Sequence, residues 1–202
     1  MTDETVLVLR SSNADGTSRN GFKWPLKVGA IVKCPDWKPT KECGNGLHGL
    51  LHGAGDGSLL NWNADAKWYA LEVKLSSIVM LGGKCKFPEA KIAYVGDRKG
   101  ATDYIMARVT KPELVVGAFR LCGDNECVSG GNRATVSGGD CATVSGGDYA
   151  TVSGGYCAQI RINWYDENHN RYRTAIAYVG EDGIKPNVKY RLNEKHEFEE
   201  VK

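Results

Sequence analysis

The side chains best able to do chemistry crowd into one run, CPDWKPTKECGNGLHGLLHG, from Cys34 to Gly53. Thiolate sulfur and imidazole nitrogen are the donors that zinc takes, and His48 and His52 stand four apart with Cys34 and Cys43 upstream. Those four residues are the candidate zinc set. The nine-residue step from Cys34 to Cys43 is wider than the usual short knuckle, so the reading adopted is no metal and no cofactor. On that reading the histidines are hydrogen-bonded within a loop whose glycines at 44, 46, 49 and 53 make tight turns. As ligand-binding candidates the sequence offers Asp36, Trp37, Cys43, His48 and His52, with Arg10 from the first apolar run. No catalytic residue is assigned.

Two chemistries compete with simple binding. In an ADP-ribosyltransferase-like enzyme, Arg10, Ser11 and Ser12 would line an NAD cleft beside the glycine-rich loop, with Glu72 or Glu113 as the acid. This is an analogy of fold alone, because the spacing matches no defined pattern. In a small-ligand or nucleotide binder, Trp24, Trp37 and Trp62 would stack on the ligand while Arg10 or His48 made polar contacts. The same tryptophans equally serve as the core of a sheet.

The elements that must position these groups are mostly strands. VLVL after Thr5 is a strand; Phe22 to Cys34 is a second strand region, ended by Pro35 and Pro39. Asn61 to Lys67 reads as a short helix capped by Asn61 or Asn63. Trp68 to Leu75 alternates as a strand should, with Tyr69, Leu71 and Val73 on one face. Ile78 to Leu81 and Lys91 to Val95 are further strands, Lys99 to Arg108 a second short helix, and Pro112 to Phe119 β again.

From Val128 to Gln159 the chain repeats one octapeptide four times: VSGGNRAT, VSGGDCAT, VSGGDYAT and VSGGYCAQ. A fixed period signals stacked repeats. Alternation sends Ala134 and Val136 inward and Thr135 and Ser137 outward, and Gly-Gly serves a corner. With two octapeptides per coil, residues sixteen apart stack about 4.8 Å from each other. Cys141 then lies beside Cys157, as inward packing or a groove-lining row, and Arg133 beside Tyr149. Arg120 to Cys127 fits as a degenerate capping copy. Ile160 to Tyr165 and Arg171 to Val179 form a hairpin over the last coil, and Tyr190 to Leu192 with Glu197 to Val201 close a meander.

Composition sets bounds. The chain has 202 residues, 42% hydrophobic, enough for a real core, and a formal net charge of +2 with no basic run that would bind nucleic acid. Thr2-Asp3-Glu4 is acidic where a secretory signal is basic, and no apolar run approaches the roughly 20 residues that span a bilayer. The seven cysteines are an odd number, suited to reduced thiols. The expectation is a cytoplasmic protein (host cytoplasm if phage-encoded) without nucleic-acid or membrane partners.

Two resemblances bear on this. The octapeptides resemble those of bacterial ice-nucleation proteins across these repeats; here the outward threonine ladder of Thr135, Thr143 and Thr151 is short for ice binding. The run FKWP…CPDWKPTKECGNGLHGLLHGAGDGSLLNW…DAKWYALEV…GGKCKFPEAKIAYVGDRKGATDYI resembles a domain of unknown function in bacterial and phage proteins that often precedes such arrays. That resemblance implies a phage or prophage setting and brings no established activity.

The fold class expected is mainly β (α+β): a β-rich domain over 1–119 with one or two short helices, a β-solenoid over 120–159 and a β cap over 160–202. The expected function is a non-catalytic interaction or assembly module. It would bind a protein partner, such as a host protein in counter-defence, or self-associate through the repeat ladder.

Overall fold

The computed structural model describes residues 4–201. The molecule is mainly β, with one α-helix among the described residues and several sheets. It divides into two compact units, 1–112 and 113–202. The expected segments 120–159 and 160–202 fall in the same unit and share one core.

The first unit is a seven-stranded antiparallel sheet. In chain order its strands are β1 (Thr5–Ser12), β2 (Ile31–Lys33), β3 (Leu47–Leu51), β4 (Lys67–Lys74), β5 (Val79–Met80), β6 (Cys85–Phe87) and β7 (Glu89–Gly96). Their spatial order is β2-β7-β4-β1-β3-β6-β5. Strand β1 is central because its run VLVL has apolar side chains for both faces: Val6, Val8 and Leu9 are all buried. On β4, Tyr69, Leu71 and Val73 join Trp24, Phe87 and Ile92 in the core. Each fully buried side chain of this size contributes about 1.5–3 kcal/mol. Trp68 and Ala70, on the opposite face of β4, are buried too. The helix α1 (Arg98–Met106) packs against β1, β4 and β7 and buries its own Ala101 and Ile105.

Three local expectations change. Asn61 to Lys67 is not helical: the Asn61 side-chain oxygen accepts from the Asn63 amide at 3.0 Å, an Asx turn leading into β4. Helix α1 is capped by Asp97, whose carboxylate accepts from the Gly100 amide at 2.8 Å, so it runs from Arg98 to Met106 rather than from Lys99 to Arg108. Of the region Phe22 to Cys34 only Ile31–Lys33 is strand; Trp24 is buried, whereas Leu26 and Val28 are exposed on a bend that reaches Gly29 at φ +83°.

The second unit is built on parallel pairs. Its strands are β8 (Phe119–Leu121), β9 (Cys127–Ser129), β10 (Thr135–Ser137), β11 (Thr143–Gly146), β12 (Thr151–Ser153), β13 (Gln159–Asp166), β14 (Arg171–Tyr178), β15 (Tyr190–Leu192) and β16 (Phe198–Glu200). Pro112–Leu114, expected as β, is a 3₁₀ turn, and strand begins at Phe119. Successive octapeptides alternate between two sheets, β8-β10-β12 and β9-β11-β13, so residues sixteen apart pair: Arg120↔Val136↔Val152 and Val128↔Val144↔Ile160. Val136, Val144, Val152 and Ile160, with Ala134, Ala142 and Ala158, fill the interior.

Polar groups in the turns follow the same sixteen-residue rule. Asp124, Asn132 and Asp140 each accept, through a side-chain oxygen, from the amide of Asp140, Asp148 and Tyr156 respectively, at 2.8–3.0 Å. The glycines keep successive turns close: a Cβ on Gly139 would meet Asp124 Oδ1 at 2.1 Å. The left-handed backbone sits elsewhere, at Arg133, Cys141, Tyr149 and Cys157, all with φ of 56–57°. That conformation turns the sixth side chain outward. Cys141 and Cys157 are therefore exposed neighbours and not inward packing. The Arg133 guanidinium lies over the Tyr149 ring at 4.8 Å.

Strand β13 leaves the repeat and pairs antiparallel with β14 across a turn at Asp166, whose buried carboxylate bonds His169 and Arg173. Strand β15 pairs β12 at Val152↔Tyr190, and β16 pairs β15. Strand β14 is the outer strand of its sheet.

Candidate functional site

Strands β1 and β3 place Arg10 and His48 side by side. Arg10 Nη1 donates to the His48 carbonyl at 2.6 Å, and the guanidinium stacks over the Trp24 ring at 4.2 Å. A small, open depression of about 40 Å³ lies here, lined by Arg10, Ser11, His48, Gly49, Leu50, Leu59, Leu60 and Lys84. Among the described residues, three buried side-chain polar atoms have no hydrogen-bond partner: Arg10 Nε, His48 Nε2 and Trp24 Nε1. Such atoms are rare in native folds, because leaving a buried donor unmet costs about 1–3 kcal/mol. Burial lowers the Arg10 pKa to about 10. The His48 pKa falls to about 4, first through burial and then through the charges of Lys84, Arg10 and Lys86, so the ring is neutral at pH 7.

The polar run that precedes His48 serves another lysine. Lys86 on β6 is fully buried, and its ammonium donates to the Glu42 carbonyl at 2.8 Å and the Gly44 carbonyl at 3.2 Å, below the Trp37 ring at 5.8 Å. Gly46 is small because Lys86 and Trp37 fill the space beside it, each 3.1 Å from where a Cβ would be. Asp36 closes the same loop by accepting from Cys34 Sγ at 3.1 Å and Asn45 Nδ2 at 2.7 Å. The Cys34 contact, with that from Asn45, holds the Asp36 pKa below the usual carboxylate range. Cys43 is exposed, and the Lys84 ammonium at 3.0 Å lowers its pKa.

The sequence candidates thus separate. Arg10 and His48 share the depression; Asp36, Trp37 and Cys43 belong to the loop around Lys86 and Lys84; His52 stands beyond β3 with φ +53°. No group of three or more His, Cys, Asp and Glu converges in metal-binding geometry among the described residues, so Cys34, Cys43, His48 and His52 do not form one centre. The acids weighed for NAD chemistry do not line the depression: Glu72 pairs with Lys91 at 3.1 Å, and Glu113 belongs to the other unit. Ser11 Oγ accepts from the Asn61 amide at 2.6 Å and Ser12 Oγ meets the Tyr69 hydroxyl at 3.1 Å. Trp62 packs edge-on against Trp68. Lys84 and Lys86 were missed, although a lysine alternating with Cys85 and Phe87 on an apolar strand was the visible signal.

A second surface is the outer face of β13 and β14. Tyr165, Tyr172, Ile176 and Tyr178 are exposed there, with Tyr165 edge-on to Tyr172 at 5.2 Å. The Val179 amide bonds the Ala158 carbonyl at 2.9 Å, so by antiparallel alternation the odd-numbered residues of β14 bond to β13. The amides of Tyr172, Thr174, Ile176 and Tyr178 point to the free edge.

Residues 6–107 match the model of a family described as Domain of unknown function (DUF7666). The chain belongs to that family. It is also similar to ice nucleation proteins: 40% identical over 115 residues to that of Pseudomonas fluorescens, covering 56% of this chain and 9% of that protein. The ice nucleation protein of Pseudomonas syringae is 39% identical over 114 residues, covering 55% of this chain and 10% of the relative. For InaU of Pantoea ananas the identity is 37% over 108 residues, covering 52% and 10%. The chain therefore spans only about a tenth of the length of these relatives. The similarity also runs well beyond the four octapeptides to which the sequence reading confined it. No solved structure matches.

Proposed function

We propose that the chain is a non-catalytic interaction and assembly module, and that its 113–202 unit is a short β-solenoid that self-associates through β14. The observation that carries this reading is the eight-residue outer strand with exposed Tyr172, Ile176 and Tyr178 beside it. Unpaired strand edges are templates for pairing, and soluble proteins usually shorten, charge or cover them.

A second copy fits the edge in an antiparallel register with its two-fold axis at Thr174. Tyr172 then faces Ile176 of the second copy and Thr174 faces Thr174, all through the free amides. Arg171 and Arg173 face alanines, so no like charges oppose. The four-strand sheet of each copy would become one eight-strand sheet.

Ice nucleation, which the relatives' names carry, is less well supported for this chain. Thr135 and Thr151 are neighbours on one sheet, while Thr143 on the other stands between Cys127 and Gln159. A surface of so few threonines offers little template area.

Sedimentation velocity over a concentration series tests the reading. The wild-type chain is expected to dimerise, and Ile176→Lys to sediment as a monomer with an unchanged melting midpoint. A wild type that stays monomeric throughout overturns it.

A further inference from the structure

The depression on the first unit has the composition of an anion site. Arg10 and Lys84 line it with Ser11 and His48, and no Asp or Glu does. A buried guanidinium ordinarily has a carboxylate partner, since an uncompensated charge is costly to desolvate. Among the described residues Arg10 has only the His48 carbonyl, the Trp24 ring and the uncharged Tyr69 at hand, and its Nε meets nothing. His48 Nε2 is likewise buried without a partner. Two different side chains on two strands therefore keep hydrogen-bonding capacity open at one place. Leu59 and Leu60 add an apolar wall.

We infer that this depression binds a small organic oxyanion, its carboxylate or phosphoryl oxygens on Arg10 and Lys84 and a short apolar body against Leu59 and Leu60. Nε of Arg10 donates to one oxygen, a charge-assisted bond stronger than a neutral one. His48, neutral at pH 7, borders the depression without adding a charge. The inference concerns the first unit and stands apart from association through β14.

NMR titration of the full chain tests it, following the Arg10 Nε–H, His48 ring and Trp24 indole signals. The probes are butyrate for a carboxylate with an apolar body and inorganic phosphate for a phosphoryl group, with sodium chloride at matched ionic strength as control. Saturable shifts of the Arg10 and His48 signals with either probe, absent with chloride, are expected, and the stronger probe identifies the group. Arg10→Gln should abolish saturation. Lys84→Met, at a less buried position, should weaken it about tenfold and serves if Arg10→Gln does not fold. Failure of both probes to saturate the wild-type signals at millimolar concentrations overturns the inference, as does unchanged binding by a folded Lys84→Met.

Discussion

The two units satisfy their polar groups by different means. In the 113–202 unit the means is periodic: Asp124, Asn132 and Asp140 each bond the amide sixteen residues on, and valine stacks on valine. In the 1–112 unit every contact is particular, such as Lys86 within the 40–46 loop or Arg10 under the His48 carbonyl, and among the described residues three buried side-chain atoms are left unmet. Repetition makes a regular surface that ends at an edge; particular contacts make a cleft. The likeness of neighbours explains why recognition is assigned to an edge in one unit and to a depression in the other.

The largest expected effect comes from breaking the periodic rule. Gly139→Ala places a methyl against Asp124 Oδ1 and the Asp124 amide, which belong to the adjoining turn and cannot retreat singly. It should destabilise the second unit by about 1–3 kcal/mol, read by urea denaturation with circular dichroism. No measurable loss would mean that the turns are not packed at one strand spacing.

A smaller effect sharpens the other side of the comparison. The folded state holds His48 neutral down to a pKa of about 4, whereas an unfolded histidine protonates near 6.5. Below pH 6.5 the unfolded chain therefore takes up a proton that the folded chain refuses, and stability falls as pH drops toward 4. Allowing for solvent screening, the loss is on the order of 1 kcal/mol. His48→Gln should flatten that part of the melting-midpoint profile, and an unaltered acid limb would refute the assignment.

The smallest expected effect has the opposite sign. Cys157 holds a left-handed backbone at φ +57°, a conformation that costs a side chain some energy and costs glycine little. Because its thiol is exposed, Cys157→Gly should raise stability by up to about 1 kcal/mol in the same denaturation assay. Destabilisation would show that the outward thiol column contributes packing.

The repeat was legible because each octapeptide's surroundings are other octapeptides, so a rule read from one copy holds for all. Its inward face followed from alternation and its register from two octapeptides per coil, and the β13–β14 hairpin from two β-rich runs around a polar turn. The sixth position was not legible in the same way. Gly-Gly advertises unusual backbone, yet Arg133, Cys141, Tyr149 and Cys157 carry it, and the glycines answer to steric closeness. In the first unit, the residues 34–53 announced themselves by type, but type says nothing of partners. That Arg10 meets a carbonyl 38 residues away depends on β1 pairing with β3, and the sheet order departs from chain order everywhere but at β5 and β6. The turn at Asn61 looked helical because asparagine serves Asx turns and helix caps alike.

The most direct test of association through β14 is amide hydrogen exchange, resolved by residue, at low and high protein concentration. Arg171, Arg173 and Ala175 bond within the hairpin and should exchange alike at both. The account predicts that Tyr172, Thr174 and Ile176 exchange freely when dilute and become protected as concentration rises. If those three exchange equally fast at every concentration, β14 is not the seat of assembly and the account is contradicted.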